Sequence, residues 1–175
     1  MKKIFSLILI VSVALFATNT ATAQKFGHID SQTIINNLPD TKAAQTAFEN
    51  EGKKFDEQLQ TMSLEYQNKV QAYQENMQLA DAAPEKWSAA IRQDKEAEIM
   101  QLQERIQRFQ ENAQQSLQQK RQELYAPILE KVDNAVKKVA VAGNYIYVFD
   151  KNNVLFINTA LSTDLTDAVK KELGM

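Results

Sequence analysis

The feature that most constrains this chain is an apolar pattern of helical period that runs from Lys42 to Ala142. Its apolar residues recur mostly at steps of three, four or seven, the spacing of helices that bury a single stripe. Only four glycines and three prolines occur in all 175 residues. The pattern therefore predicts long helices rather than a compact mixed fold.

A reversal point divides this pattern into two series, one from Phe48 to Ala80 and one from Ile91 to Ala142. Between them lies Asp81-Ala82-Ala83-Pro84, and Pro84 suits the first turn of a new helix. Two consecutive helices joined by a short turn pack antiparallel. We therefore expect 42–142 to form a long antiparallel helical hairpin, a coiled-coil arm.

Shorter elements precede the arm. Residues 25–30 have the composition of a strand, and a short helix that Ser31 or Asp30 can cap follows them. Pro39 ends that helix, and Asp40 or Thr41 is expected to cap the next one.

Two strand-like segments follow the arm. Tyr145–Asp150 and Val154–Asn158 are rich in β-branched and aromatic residues, and Lys151–Asn153 between them suits a turn. They predict a β-hairpin, after which Asp164 is expected to cap a last helix over 165–173. The predicted fold is α+β but mostly α, with a helical arm that projects from a small β body. That body comprises 24–41 and 143–175, and 24–175 is a single domain.

The first 23 residues have the pattern of a secretory signal peptide. Lys2 and Lys3 precede an almost wholly apolar run from Ile4 to Ala17, and Ala21-Thr22-Ala23 supplies small residues for cleavage before Gln24. The apolar run is short for a membrane span. We therefore expect export of the chain with cleavage of the signal.

Removal of the signal leaves 18 basic and 22 acidic residues, a net charge of −4. This balance does not favour nucleic acid as a partner, and we do not expect binding to lipopolysaccharide or to a membrane surface. The absence of cysteine excludes disulfides, thiolate metal sites and cysteine nucleophiles.

The sequence offers no catalytic, cofactor-binding or metal site. Its one histidine, His28, lies in a predicted strand, and no glycine-rich phosphate loop or nucleophile elbow occurs. We therefore expect a protein that is not an enzyme and has no cofactor.

Two sets of apolar residues are left without obvious cover. Those near the turn of the arm are expected to contact other proteins, because a two-helix seam cannot enclose them all: Tyr73, Met77, Leu79, Trp87 and Ile91. Those of the strands are apolar on both faces and are expected to associate with other copies of the chain: Phe26, Ile29, Ile146, Val148, Val154 and Phe156.

The chain resembles the Skp/OmpH family of periplasmic chaperones. The resemblance is carried by residues 26–30, the Gln- and Glu-rich hairpin, 145–150, 154–158 and 164–169, and it covers the whole mature chain. It implies a homotrimer with a small β-barrel body and projecting helical arms. It also implies an ATP-independent holdase that binds unfolded outer-membrane proteins and prevents their aggregation.

A structural coiled-coil spacer or adaptor of the cell envelope is the alternative. Hairpins of such adaptors usually interrupt a larger β-rich domain, and only about six strand-like residues precede this one. Suppression of the aggregation of an unfolded barrel protein separates the two functions, because a spacer would not show it.

The signal pattern predicts a mature chain that begins at Gln24. N-terminal sequencing or intact mass of the protein extracted from the cell envelope measures this directly. A mature form that retains Met1 to Ala17 would contradict export with cleavage.

Overall fold

The structure is a computed structural model that describes residues 24–80 and 87–175, apart from the side chain of Leu79. The elements in chain order are β1 (Lys25–Ile29), α1 (Ser31–Asn37), α2 (Pro39–Leu79), α3 (Ala89–Ala142), β2 (Tyr145–Asp150), a 3-10 turn (Lys151–Asn153), β3 (Ser162–Asp164) and α4 (Thr166–Glu172). The predicted α+β, mostly α fold is confirmed. The predicted signal peptide and the reversal at 81–84 lie outside the described residues.

Helices α2 and α3 pack against each other as an antiparallel hairpin. They contain 41 and 54 residues, or about 60 and 80 Å at 1.5 Å per residue. Near the base, the Asp40 carboxylate lies 2.6 Å from the Lys131 ammonium. Further out, the rings of Phe55 and Phe109 have their centroids 5.9 Å apart. Residue numbers increase along α2 while those of the contacting residues decrease along α3, as in an antiparallel pair.

The starts of the first two helices differ from the sequence-based expectation. Asp30 caps α1, because its carboxylate accepts the Thr33 amide at 2.9 Å, whereas the Ser31 hydroxyl donates to Asp150. The prediction that Asp40 or Thr41 caps α2 is wrong, because α2 already begins at Pro39. Proline needs no amide partner in a first turn and is preorganised for it.

The hydrophobic core lies at the base of the arm. Ile34 of α1 and Val169 of α4 are fully buried, and Val132 and Ala135 of α3 pack with them. A second cluster, formed by Leu38, Ala44 and Ile128, continues the core along the first turns of the arm. The last turns of α3 therefore belong to the folded base as much as to the arm.

The three strands form a parallel sheet of order β2-β1-β3. A shift of register between Lys25 and Phe26 leaves Ile146 of β2 without a partner, as in a β-bulge. Gly27 allows α4 to approach the central strand, because a Cβ there would lie only 2.6 Å from a Leu165 methyl carbon.

The predicted β-hairpin of Tyr145–Asp150 and Val154–Asn158 is wrong. β2 pairs with β1 in parallel, and Val154–Asn158 forms no strand in the described structure. The arm brings the chain back to its starting level, so β2 can lie alongside β1 through a long crossover. The third strand, Ser162–Asp164, is a segment that the sequence analysis did not identify.

An aspartate follows or ends each strand and starts the next turn or helix. Hydrogen bonds from Lys151 and Thr33 hold the pKa of Asp30 well below its usual range. Burial favours the neutral form of Asp150, but hydrogen bonds from Ser31 and Asn152 lower its pKa overall. Their stabilising contribution is present above about pH 4 and is lost as the pH falls through the folded-state values.

Burial favours the neutral form of Asp164 too, but its pKa is lowered overall. The Thr166 hydroxyl and amide donate to the carboxylate at 2.5 and 2.9 Å, and the nearby His28 favours the charged form. The prediction that Asp164 caps the last helix is wrong in position, because Leu165 is the cap residue and Asp164 accepts the Thr166 amide from one residue earlier. The helix itself begins at Thr166, one residue later than expected.

Truncation of the core residue Ile34 to alanine should lower the free energy of unfolding by about 2–5 kcal/mol, because the side chain is fully buried and leaves a cavity. Urea denaturation followed by circular dichroism measures the change. Leu129→Ala is the matched control, since Leu129 is 52% exposed and should cost no more than about 0.5 kcal/mol. An equal effect of the two substitutions would contradict the location of the core.

Candidate functional site

The sheet presents one face to the core and leaves the other uncovered by the described chain. Phe26, Tyr147 and Phe149 form a row of rings on this second face, with centroid separations of 6.3 and 5.9 Å. Tyr147 and Phe149 are 59% and 45% exposed. We call this surface, together with Phe156 and Leu161 beside it, the outer sheet face.

An open cavity of about 290 Å³ lies within the outer sheet face, between Phe26 and Phe149 of the strands and the segment 154–161. Its lining is largely apolar and comprises Phe26, His28, Phe149, Val154, Phe156, Ile157, Asn158, Leu161 and Ser162. Phe156 and Leu161 are 81% and 74% exposed, so the cavity is only partly closed. A contiguous exposed apolar surface of this kind usually marks an interaction site.

His28 joins two strands at the polar end of this cavity. The side chain is buried, and its Nδ1 lies 2.9 Å from the Ser162 hydroxyl. Its Nε2 lies 3.9 Å from an oxygen of Asp164, too far for the hydrogen bond that orients the base of a catalytic triad. The arrangement suits a structural tie between β1 and β3.

The structure separates the six residues that were expected at an interface between copies. Phe26, Val154 and Phe156 line the cavity at the outer sheet face, and Ile146 is half exposed at the bulge. Ile29 and Val148 do not lie on that surface, because both pack against the core of the single chain, and their expected place at an interface stays a prediction.

Sequence analysis also left Tyr147, Phe149 and Leu161 out of the interface set. Tyr147 and Phe149 alternate with Val148, which faces the core. The two-residue period of a strand could therefore have predicted that both rings face outward. The bulge at Ile146 obscured which phase faces inward, since it places Tyr145 and Val148 on the same face.

The far end of the arm holds the second candidate surface. The rings of Tyr73 and Trp87 meet edge to face with centroids 5.8 Å apart. The Tyr73 hydroxyl donates to Glu96, and this bond raises the pKa of Tyr73. Met77 and Ile91 are 39% and 37% exposed. The side chain of Leu79 lies outside the described structure, so its expected place in this group stays a prediction.

Charged side chains surround this aromatic pair. Glu98 accepts hydrogen bonds from Lys69 of α2 at 2.7 Å and from Lys95 of α3 at 2.6 Å. These two bonds lower the pKa of Glu98 to about 2. A cleft of about 250 Å³ opens beside them, and it is lined by Lys69, Ala72, Tyr73, Asn76, Trp87, Lys95, Glu98 and Ile99.

Within residues 24–80 and 87–175, no three His, Asp or Glu side chains converge as metal ligands would. None of the described helices is both long and apolar enough to cross a bilayer.

Comparison with known proteins agrees with this architecture. A curated relative, the chaperone protein Skp of Yersinia enterocolitica, is 28% identical over 163 residues, which cover 93% of this chain and 94% of that protein. A crystal structure from Caulobacter crescentus, described as an OmpH-like candidate outer membrane chaperone, superposes with a TM-score of 0.69 at 16% identity. That superposition covers 90% of this chain and 88% of the other, and it supports the same fold.

The sequence profile of one family, described as outer membrane protein (OmpH-like), matches residues 25–173. That range contains every described strand and helix, from β1 to α4. The chain therefore belongs to the OmpH-like family.

Proposed function

We propose that this protein is a periplasmic holdase chaperone that binds unfolded outer-membrane proteins without ATP and prevents their aggregation. The observation that carries the proposal is the arm, which projects far beyond the core and has partly exposed apolar residues at its far end. The names of the two relatives, both chaperones, support the same function.

The arm suits weak contacts with many different clients. Met77 and Ile91 offer small exposed apolar areas among glutamines and charges of both signs. Each contact gains little, about 25 cal/mol per Å² of apolar area that it buries. Several arms around one client would still hold it well. After the first contact, each further contact forms at a high effective concentration, so the client dissociates slowly.

Self-association through the outer sheet face would provide the several arms, and we propose a homotrimer. The face is apolar and uncovered in the single chain, and Val154–Asn158 has the composition of a strand yet pairs with no described strand. Both sheet edges, β2 and β3, could accept a strand from another copy. The arrangement in the Skp/OmpH family, a β body with projecting arms, supports this number of copies.

The proposed activity requires neither catalysis nor nucleotide. A client is released when it folds or is transferred to another protein, because the contacts are individually weak. Residues 1–23 would direct the chain to the periplasm and be removed before Gln24, and 24–175 would act as one chaperone domain.

Phe156→Asp should abolish the trimer, because it would bury an unpaired charge in the interface at a cost of several kcal/mol. Phe156 is 81% exposed in the single chain, so the fold of the protomer should survive. Multi-angle light scattering gives the mass, and circular dichroism checks the helix content. Leu129→Asp on the exposed surface of α3 is the control and should stay trimeric. An unchanged mass for Phe156→Asp would place the interface elsewhere.

Removal of the far end of the arm should abolish client holding but not assembly. Joining the helices at Gln71 and Lys95 with a short turn deletes Tyr73, Met77, Leu79, Trp87 and Ile91 and leaves the core intact. The suppression of aggregation of an unfolded outer-membrane protein should fall sharply at unchanged oligomer mass.

A point variant provides a matched control for this deletion. Ile91→Ser should weaken suppression, whereas Leu129→Ser removes a more exposed apolar side chain near the base and should not. Full activity of the deletion variant would place client binding on the body instead.

A further inference from the structure

We propose that the far part of the arm opens between its two helices, and that an unfolded client binds the apolar side chains that this opening releases. The segment consists of residues 63–80 of α2 and 87–101 at the start of α3, and we call it the distal arm. The inference rests on the proposed holdase function and names how its binding surface becomes available.

Polar contacts and one aromatic pair, Tyr73 with Trp87, join the helices of the distal arm. Glu65, at its inner end, lies 3.0 Å from the Arg105 guanidinium, Lys69 pairs with Glu98 across the seam, and the Tyr73 hydroxyl donates to Glu96. The charged partners are between about one third and three fifths exposed. Exposed pairs of this kind contribute little stability and weaken with salt.

The proximal part of the hairpin is held differently. Met62 and Leu102 form a buried layer at its outer limit, the rings of Phe55 and Phe109 meet within it, and Ala113 is buried nearby. Among the described residues of the distal arm, by contrast, none is buried. Fully buried apolar side chains therefore end at Met62 and Leu102, beyond which the seam has half-buried apolar residues and exposed ion pairs, and this is where opening should stop.

The distal seam encloses side chains that a client could use. Tyr73, Trp87 and Ile99 are half-buried and line the cleft between the helices. The indole nitrogen of Trp87 is buried and meets no acceptor among the described residues. When the arm opens, a backbone carbonyl of a client could accept a hydrogen bond from this indole donor.

This chemistry fits one class of partner, an extended unfolded polypeptide that carries aromatic and aliphatic side chains. Such a chain can fill the opened cleft with its side chains and supply carbonyl acceptors from its backbone. A folded protein offers few of either at its surface. The arm would thereby favour unfolded clients without a preformed pocket for any one sequence.

A reversible clamp tests the opening. The chain has no cysteine, so Lys69→Cys with Glu98→Cys can be joined across the distal arm by a bismaleimide that contains a disulfide. Asp40→Cys with Lys131→Cys, which replaces another ion pair between α2 and α3, is the matched proximal clamp. Aggregation suppression of an unfolded outer-membrane protein is measured before linking, after linking, and after the linker is cleaved by reductant.

The distal clamp should lower suppression several-fold, and reduction should restore it, whereas the proximal clamp should have no effect. Equal loss with both clamps would attribute activity to motion of the whole arm and overturn the proposal. Full activity with the distal clamp overturns it as well. In that case the deletion between Gln71 and Lys95 shows which proposal fails. If the deletion variant loses client holding, the proposed holdase function of the arm stands and only its opening is contradicted. If the variant keeps client holding, the far end of the arm does not bind clients.

Hydrogen exchange provides a readout without client. Raising the salt from about 0.1 to 1 M shortens the Debye length from about 10 to 3 Å. Amide exchange in the distal arm should then accelerate by about two- to fivefold for each exposed ion pair that is weakened. Amides of the proximal arm, measured in the same sample, should accelerate less, because buried apolar side chains also hold that part of the seam. Equal acceleration in both parts, or none in the distal arm, would contradict a polar closure of the distal arm.

Discussion

The packing of the last turns of α3 against Ile34 and Val169 is the contact on which the rest of the structure depends. A hairpin of two helices has a single seam and buries little area per residue, so it cannot stabilise itself along its whole length. Val132 and Ala135 anchor the returning helix in the core, where α1, α4 and the sheet meet. The arm can therefore be thin and polar further out without loss of the fold.

The two exposed apolar surfaces differ in stiffness, and this difference suits two kinds of partner. The outer sheet face carries aromatic rings on hydrogen-bonded strands, so its shape is fixed and complementary to a partner that never varies, such as another copy. The distal arm carries Tyr73, Met77 and Trp87 on helices tied by exposed charges. A deformable surface of that kind suits partners that share composition but no common shape.

Much of the fold follows from the sequence, because helix periodicity extends over many turns and averages out local exceptions. The antiparallel arm was predictable on this basis, and the strand at Tyr145–Asp150 was predictable from its β-branched and aromatic composition. The pairing of the strands was not, since β1 and β2 are separated by the whole arm and a nearby partner at Val154–Asn158 looked sufficient. The bulge at Ile146 likewise changes which alternate residues of β2 face the core. Val148 therefore packs against the core and not on the outer sheet face.

The polar residues of the distal seam suit two requirements, that the helices stay together without a client and that they can separate to bind one. Leucine in place of Lys69, Glu98 and Lys95 would bury more apolar area and hold the helices firmly together. In a firmly closed arm, however, Tyr73, Trp87 and Ile99 would stay packed between the helices and could not contact a client. Ion pairs would keep the open arm soluble, because charged groups are readily hydrated when the helices separate. A weak seam of this kind thus adds half-buried apolar side chains, which cost little to expose, to those such as Met77 and Ile91 that are exposed already.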